Sequence, residues 1–392
     1  MYIARLRPFG RDGMIYFDNA ATTMQKPPCV VDAVTRAMTE FGGVGRGVHE
    51  ASLAAGMAVF EARDAVAKLL GAPGADQVSF TGNVTESLNM VLFGLLEPGD
   101  HVVTTAASHN SILRPLYLLE QRGVEMTVVP VDGMGAVDWD AYEAAFKSNT
   151  RLAAVTHASN LTGDVYDIAR MAQVAHDHGA LICVDAAQTA GVIPIDMASQ
   201  QLDIVCFTGH KALFGPQGTG GVALANHVTV PPLKVGGSGT HTFDHQHPAA
   251  MPEGLEAGTL NGHGIAGLAA GVNFVMDTGL DVIRAHEQAL AQRFAAGIAD
   301  IPGVRILGGG GIDRTGIVAL NIGDIDAGRI ADALSFQYGI CTRAGAHCAP
   351  LMHEALGTAA QGAVRFSFGY FNTVDEVDQA IDALKSIVQE FI

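Results

Sequence analysis

Two apolar runs that end in polar residues decide the fold of this 392-residue chain: LICVD at 181–185 and DIVCFTGHK at 203–211. Each run has the length and the aliphatic, β-branched composition of a buried strand. Five further runs of this kind lie on either side of them, separated by helical patterns. The seven predicted strands cover residues 78–81, 101–105, 124–129, 151–156, 181–185, 203–208 and 220–225. This alternation predicts an α/β fold with a large, mostly parallel seven-stranded sheet.

The elements around this sheet divide the chain into four predicted segments. Residues 1–13 are a dispensable N-terminal extension and residues 14–261 are the large domain. Residues 262–279 are a connecting helix, and residues 280–392 are a small α+β domain. We expect the several glycines of the connecting helix to permit close packing against a neighbouring element.

Composition and charge exclude several classes of protein. Hydrophobic residues make up 48% of the chain and charged residues 16%, which fits a well-buried globular enzyme rather than a disordered chain. The net charge of −17 argues against a nucleic-acid surface. The longest apolar stretch, residues 264–276, is shorter than the roughly 20 residues of a membrane span. The N-terminus lacks the apolar region of a secretory signal. We therefore expect a cytoplasmic protein that binds neither nucleic acid nor membrane.

Polar residues follow three of the predicted strands, at the edge of the sheet where α/β proteins bind ligands. Asp185 ends one strand, Lys211 follows a second, and His109 follows the strand at 101–105. A lysine for a Schiff base, a carboxylate for a pyridinium nitrogen and an aromatic ring are the groups that pyridoxal phosphate requires. Each residue alone also has an ordinary interpretation, as a surface lysine, a loop-capping carboxylate or an unpartnered histidine.

The strand at 78–81 leads into a helix whose start would bind the phosphate of that cofactor. Residues 82–85 open the helix predicted at 85–96, where the free N–H groups of Val84 and Thr85 would face an anion. The ordinary alternative is an N-cap by Thr85. Together with the acid and the lysine at the same edge, the phosphate site is the favoured interpretation.

The five cysteines are odd in number and contain no CxxC pair, so neither a disulfide framework nor a zinc site is indicated. Cys348 is the candidate reactive thiol, because His347 and Arg343 lie near it in sequence and would lower its pKa. The alternative is a small buried residue. We interpret the other four as structural: Cys29, Cys183, Cys206 and Cys341.

Two further patterns do not support a binding site. The GxGxxG pattern at 262–267 follows no apolar strand, which argues against a dinucleotide site. A loop contains three histidines without a second cluster of ligands, so we expect no metal there. These histidines are His241, His245 and His247.

Six motifs together carry a resemblance to a known family. They are YFDNAATT (16–23), THASNLTG (156–163), VDAAQ (184–188), TGHKALFGPQGTG (208–220), EAGTLN (256–261) and RAGAHCAP (343–350). In their order and spacing they resemble the cysteine desulfurases of the class V, fold type I pyridoxal-phosphate enzymes. The resemblance extends from Met14 to the C-terminus and implies that fold and that cofactor.

The resemblance also implies roles for individual residues. Lys211 would carry the cofactor, Asp185 would pair with the pyridine nitrogen, and His109 would stack on the ring and shuttle protons. Gln188 would contact the phenolic oxygen. Thr85, Thr208 and His210 would hold the phosphate, with Thr259 from the neighbouring subunit of a homodimer. Asn160 and Arg365 would hold the substrate carboxylate, with Arg343 as a further substrate-binding candidate.

The reaction that the resemblance implies uses Cys348. Its thiolate would attack the sulfur of L-cysteine, forming a persulfide and releasing alanine, and the short loop before it favours delivery to a sulfur-acceptor protein. L-selenocysteine is an alternative substrate. Another C–S lyase or a class V aminotransferase, and a non-catalytic cofactor-binding scaffold, remain as alternatives. Ser108 stands where relatives often carry an acid, which leaves the orientation of His109 open.

Overall fold

The computed structural model describes residues 13–44, 47–240 and 242–391. The predicted N-terminal extension lies outside them except for Gly13, and His241 also lies outside them. The β-strands in chain order are β1 (Ile15–Tyr16), β2 (Val78–Thr81), β3 (His101–Thr105), β4 (Glu125–Val129), β5 (Thr150–Thr156), β6 (Asp164–Val165), β7 (Leu181–Asp185), β8 (Ile204–Thr208), β9 (Gly220–Leu224), β10 (Val304–Leu307), β11 (Asp313–Arg314), β12 (Ile317–Ile322), β13 (Ile340–Cys341), β14 (Arg343–Gly345) and β15 (Ala363–Ser367). The α-helices are α1 (Pro28–Glu40), α2 (Glu50–Leu70), α3 (Val84–Leu95), α4 (Asn110–Glu120), α5 (Trp139–Ala144), α6 (Ile168–Asp177), α7 (Gly262–Thr278), α8 (Leu280–Ile298), α9 (Ala327–Tyr338), α10 (Pro350–Ala355) and α11 (Val374–Phe391).

The seven predicted strands form one sheet, in the order β2-β9-β8-β7-β5-β3-β4. Their bounds differ from the predicted ones by at most one residue at each end. Strand β9 runs antiparallel to both of its neighbours, and the other adjacent pairs are parallel. The predicted mostly parallel seven-stranded sheet is therefore confirmed.

Both faces of this sheet are covered, as expected for parallel strands. Cys183 points to the core that helices α3 and α4 cover, while its neighbours Ile182 and Val184 point to the core on the opposite face. This alternation follows from the two-residue period of a strand. Because both faces are packed, the carboxyl edge of the sheet is the part that can receive a ligand.

The strand register brings the predicted polar residues to one edge. Asp185 at the end of β7 is paired with Thr156 at the end of β5. Thr208 at the end of β8 is paired with Gly220, which is in turn paired with Thr81 just before α3. The carboxyl ends of β5, β7, β8 and β2 therefore lie at the same edge, with the start of β9 between those of β8 and β2.

A second sheet, in the order β10-β12-β15-β14, is antiparallel throughout. Strand β1 pairs with β13, and the side chains of Ile15 and Phe17 pack into the core beneath this second sheet. The N-terminal strand thus joins the small core although the chain continues from it into the large sheet. The segment boundaries at 14–261, 262–279 and 280–392 remain a prediction.

Helix α7 begins at Gly262, as the sequence predicts, and ends at Thr278, one residue before the predicted end. No strand precedes it directly, and a β-carbon at Gly267 or Gly271 would collide with Val34 or the Leu213 carbonyl. These glycines therefore permit close helix packing. No single helix among the described residues is long and apolar enough to span a membrane; α7 and α8, which meet at 83°, reach that threshold only when combined.

Candidate active site

Lys211 lies three residues beyond β8, in a cavity at the carboxyl edge of the large sheet. Gln188 lines the same cavity, and its Nε2 donates to the Ala20 carbonyl at 3.1 Å. Burial lowers the pKa of Lys211 to about 8, against the opposing effect of the nearby Asp185. A lysine with such a pKa is partly unprotonated near neutral pH, as an amine that attacks a carbonyl must be.

Asp185 ends β7 and is 3% exposed. Its Oδ1 accepts from the Ala187 N–H at 2.9 Å, and its Oδ2 lies 3.5 Å from the Ser111 hydroxyl. Burial raises the pKa of Asp185, and the Ala187 N–H and the Lys211 charge only partly oppose this effect. A buried carboxylate with these few contacts is well placed to pair with a positively charged ring nitrogen.

His109 is the N-cap residue of α4. Its Nδ1 accepts from the Ser111 N–H at 3.0 Å, so the neutral ring carries its proton on Nε2. Burial, together with the charge of Lys211, lowers the pKa of His109 to about 4. Ser108 instead bonds to the Thr104 hydroxyl at 3.0 Å. Ser111, rather than an acid at position 108, therefore sets the orientation of the ring.

Helix α3 starts at Val84, one residue before the predicted start. Its N-cap is Asn83, whose side chain accepts from the Glu86 N–H at 3.0 Å, so the predicted alternative of a Thr85 cap is wrong. Glu86 in turn accepts from the Gly82 N–H at 2.6 Å. This capping uses the N–H groups of Gly82 and Glu86 and leaves those of Val84 and Thr85 for an anion.

Two further predicted phosphate ligands are buried without a partner. The Thr208 hydroxyl and the Nδ1 of His210 have no hydrogen-bond partner among the described residues. Buried polar atoms are ordinarily satisfied, so unsatisfied ones at the predicted phosphate position fit a missing anionic group. On this observation, the residues present fit pyridoxal phosphate.

Arg365, on β15, is 2% exposed. Its Nη1 donates to the Asn160 carbonyl at 2.8 Å, and its Nη2 donates to Asp18 Oδ1 at 2.8 Å. Its Nε is buried and has no acceptor among the described residues. The guanidinium is thus rigidly held with a donor left over, which suits a substrate carboxylate.

Cys348 lies between β14 and α10 and is exposed. His347 and Cys348 both have left-handed backbone conformations, with φ of +50° and +56°. Two hydrogen bonds hold this loop on the large domain: the Asn110 N–H donates to the Cys348 carbonyl at 2.9 Å, and Asn160 Nδ2 donates to the His347 carbonyl at 2.6 Å. The thiol therefore lies beside the loops that carry His109 and Asn160.

The expectation that His347 activates Cys348 by its charge is wrong. His347 is 5% exposed, and burial lowers its pKa to about 3. The ring is neutral at physiological pH, and its Nε2 lies 3.2 Å from the Arg343 carbonyl. Arg343 is exposed, and its backbone lies opposite that of Arg365 in the register of β14 and β15.

The other cysteines only partly follow the prediction of four structural residues. Cys183 and Cys206 are buried, with sulfurs 3.9 Å apart, and Cys341 is half-buried. Cys29, which we interpreted as structural, is exposed on α1. The described residues contain no group of three or more histidine, cysteine or acidic side chains that could hold a metal.

Thr259 is exposed and makes no contact with the Lys211 cavity of its own chain. The segment before it is firmly held, because Glu256 forms a buried pair with Arg63 at 2.6 Å and accepts from the Phe80 N–H at 2.7 Å. Its predicted role at the site of a neighbouring subunit stays a prediction.

Three residues of this region were not predicted from the sequence. Asp18 stands in the YFDNAATT motif and holds Arg365, and Lys26 follows the same motif. Glu287 lines the Lys211 cavity from α8, and burial raises its pKa to about 8. The motif could have drawn attention to Asp18, but Glu287 has the sequence context of an ordinary helical acid.

The chain is similar to known proteins in sequence. A family model described as aminotransferase class-V matches residues 15–380. A probable cysteine desulfurase of Halobacterium salinarum is 35% identical over 97% of this chain and 93% of its own length. The cysteine desulfurase of Haloferax volcanii is 33% identical over 96% of this chain and 90% of its own.

Solved structures give the same result. The apo structure of cysteine desulfurase from Thermococcus onnurineus has a TM-score of 0.90 at 32% identity and covers 96% of this chain and 95% of its own. The cysteine desulfurase CsdA (S-sulfonic acid) from Escherichia coli has a TM-score of 0.87 at 29% identity, covering 98% and 97%. Both sequence and fold are therefore similar over nearly the whole chain.

Proposed function

The chain belongs to the aminotransferase class-V family and, within it, to the cysteine desulfurases, and from this premise we propose its reaction. It converts L-cysteine to L-alanine with pyridoxal phosphate as cofactor and leaves the sulfur as a persulfide on Cys348. The assignment of substrate and product draws on the relatives. The assignment of the thiol draws on the geometry of this chain.

The observation that carries the proposal is the seat of the Cys348 loop. The His347 carbonyl accepts from Asn160 Nδ2, and the Cys348 carbonyl accepts from the Asn110 N–H. The backbone on both sides of the Cys348 α-carbon is therefore hydrogen-bonded to the large domain. The side chain of Cys348 stays exposed. A thiol fixed beside the loops that carry His109 and Asn160 supports a sulfur transfer, whereas an aminotransferase needs no thiol there.

The residues of the cofactor site would each perform one task. Thr208, His210 and the start of α3 would hold the phosphate, and Asp185 would pair with the ring nitrogen. Arg365 binds the carboxylate of the substrate, and the Lys211 amine moves a proton to and from the substrate carbon. When bound, the cofactor supplies an electron sink that weakens the bonds around that carbon.

The thiol of Cys348 completes the reaction. Its thiolate attacks the sulfur of the bound cysteine, a sulfur–sulfur bond forms, and the bond between that sulfur and the β-carbon breaks. The electron pair of the broken bond remains on the carbon side, and protonation of that carbon gives alanine. No external oxidant or reductant is needed, because the sulfur leaves as the persulfide.

The test compares wild type with Lys211→Ala and Cys348→Ala, and uses Cys29→Ala as the control for an exposed cysteine. Lys211→Ala should lose the covalently bound cofactor and its absorbance. Cys348→Ala should keep that absorbance and still bind cysteine but form no persulfide, while Cys29→Ala should match wild type. Release of alanine and sulfide by Cys348→Ala at the wild-type rate would show that another C–S lyase mechanism operates.

We also propose that the enzyme is a homodimer whose sites are shared. Leu53, Met57 and Phe60 lie on one face of α2, and each is more than half exposed, which supports an interface. Exposed Thr259 would reach the site of the second subunit. Mixing Lys211→Ala with Thr259→Ala protein should restore activity, because one site of each mixed dimer then has both native residues. Absence of restoration in verified mixed dimers contradicts the shared site.

The exposed thiol supports delivery of the sulfur to an acceptor protein. A persulfide on Cys348 would be accessible to the thiol of a second protein. L-selenocysteine would bind through the same Arg365 contact, since it differs from L-cysteine only in the atom that leaves. Alanine release from both substrates, measured side by side, gives the preference.

A further inference from the structure

Lys26 lies in the loop between β1 and α1 and has no carboxylate within ion-pair distance among the residues that the structure describes. Its Nζ donates to the Thr23 hydroxyl and, at 3.2 Å, to the His210 carbonyl. The side chain is half-buried, and this burial lowers the pKa of Lys26 to about 8. Partial burial of a cation without a counter-ion costs free energy. The presence of a lysine at this position therefore needs an explanation.

The hydrogen bond alone does not account for a lysine at this position. The His210 carbonyl also accepts from the Thr22 hydroxyl and from the Thr23 hydroxyl, each at 3.1 Å, and from the Thr23 N–H at 3.0 Å. The Thr23 hydroxyl further contacts the Lys211 carbonyl at 3.1 Å. The backbone before Lys211 is therefore already fixed, and what Lys26 adds is a positive charge.

The predicted phosphate site lacks such a charge. Thr208 is neutral, and burial, together with the charges of Lys211 and Lys26, lowers the pKa of His210 to about 4, so this imidazole is neutral as well. Lys234, near the start of α3, is already paired with Glu86.

We propose that Lys26, held on the His210 carbonyl, supplies a positive charge whose field stabilises the cofactor phosphate. A phosphate that accepts from His210 and Thr208 would lie within the field of this ammonium group. The proposal rests on the proposed function, since it assumes that pyridoxal phosphate is the cofactor. It adds a residue that contacts the phosphate-binding segment from behind.

The test measures the binding of two probes to the apo-protein: pyridoxal phosphate and pyridoxal, which lacks the phosphate. Lys26→Met should weaken the affinity for pyridoxal phosphate about tenfold, the effect of one charge-assisted contact, and leave that for pyridoxal unchanged. Lys26→Arg should restore most of the affinity. The control is Lys68→Met, which removes an exposed lysine paired with Asp64 at 2.6 Å and should change neither affinity.

The remaining outcomes contradict the proposal in distinguishable ways. Equal weakening for both probes shows that Lys26 only supports the structure, and no weakening for either shows that its charge does not reach the phosphate. Thermal unfolding of the apo-variants shows whether Lys26→Met folds. If it does not, the test uses Lys26→Arg, whose ratio of the affinities for pyridoxal phosphate and pyridoxal should stay close to that of wild type. Failure of the wild type to bind pyridoxal phosphate at all would instead contradict the proposed function.

Discussion

The cofactor half of the site (Asp185, Thr208, His210 and Lys211) stands at the ends of buried strands, whereas the thiol half (residues 343–348) is a loop of the small sheet. In the cofactor half, the Thr208 hydroxyl and the Nδ1 of His210 are buried without a partner among the described residues. In the thiol half, the backbone is hydrogen-bonded to the large domain while the Cys348 side chain is exposed.

This difference shows how the two halves serve one reaction. The cofactor half is a fixed site whose unpartnered polar groups can bind a ligand. Burial of Asp185 and Lys211 disfavours their charged forms and so costs free energy of folding. The thiol half must meet both a bound substrate and an external acceptor, so its reactive atom has to stay accessible. Its two left-handed residues store a modest strain, of about 1–3 kcal/mol each, that the contacts with Asn160 and Asn110 offset.

Asp185→Asn is the strongest test of the fixed cofactor half. The activity should fall about 1,000-fold, because the charge opposite the ring nitrogen is lost. Without cofactor, the variant should be more stable than wild type above the ordinary pKa of a carboxyl, since burial raises the Asp185 pKa and makes its ionised form unfavourable in the fold. The melting temperature of the apo-protein should rise by about 1–2 °C at pH 7.

Asp177→Asn, on an exposed acid that accepts from Gln173, serves as the control and should change neither quantity. A lower apo melting temperature for Asp185→Asn would mean that its carboxylate stabilises the empty fold. That result would contradict the claim that burial of the Asp185 carboxylate destabilises the cofactor half.

Arg365→Lys tests the junction of the two halves. A lysine keeps the charge but cannot contact Asp18, the Asn160 carbonyl and a substrate carboxylate together. The KM for cysteine should rise roughly 30-fold, in line with the loss of a charge-assisted contact. The cofactor absorbance should not change. Arg293→Lys, on an exposed arginine that binds both oxygens of Asp378, is the control, and an equal rise in its KM would contradict the assignment.

Asn160→Ala tests the seat of the thiol half. Without its amide the His347 carbonyl loses a 2.6 Å hydrogen bond, so the Cys348 loop should sample more conformations. Persulfide formation in a single turnover should slow about tenfold, while cofactor loading stays normal. Asn149→Ala removes a comparable amide contact to Gly99 on the surface and should have no effect. An unchanged persulfide rate in Asn160→Ala would show that other contacts hold the loop.

Glu287→Gln should have the smallest effect on activity and a clear effect on stability. The folded-state pKa of Glu287, about 8, lies above that of an ordinary glutamate, so wild type loses stability as pH rises between about 5 and 8. The amide cannot ionise, and the variant should therefore unfold at a higher temperature than wild type at pH 8 but at the same temperature at pH 4. Parallel melting curves across this pH range would contradict the buried neutral acid.

Much of the cofactor half could be predicted from the sequence. The strand at 181–185 and the strand that precedes Lys211 are apolar runs of the right length, and parallel strands place their carboxyl ends at one edge. Helix α3 starts one residue before its predicted start, because Asn83 rather than Thr85 caps it by accepting from the Glu86 N–H. Such choices between neighbouring caps depend on contacts that the sequence pattern does not resolve.

The thiol half was harder to predict. The position of Cys348 came from the RAGAHCAP motif, but the charge assigned to His347 was wrong because its burial could not be read from a polar segment. Glu287 was missed for the same reason, since an acid on a helix is ordinarily exposed. Lys26 and Asp18 acquire their contacts only across the interface between strand ends and the N-terminal segment.

The sequence by itself determined the seven-stranded sheet, the edge where the chemistry lies, and the motifs of a pyridoxal-phosphate enzyme. These features follow from local patterns: the burial period of strands, the lengths of apolar runs and the residues that end them. Only the tertiary structure decided how the Cys348 loop is seated, which tautomer His109 adopts and which ionisable groups are neutral. Those properties depend on which surfaces meet and exclude water, and segments distant in the sequence supply the two sides of each contact.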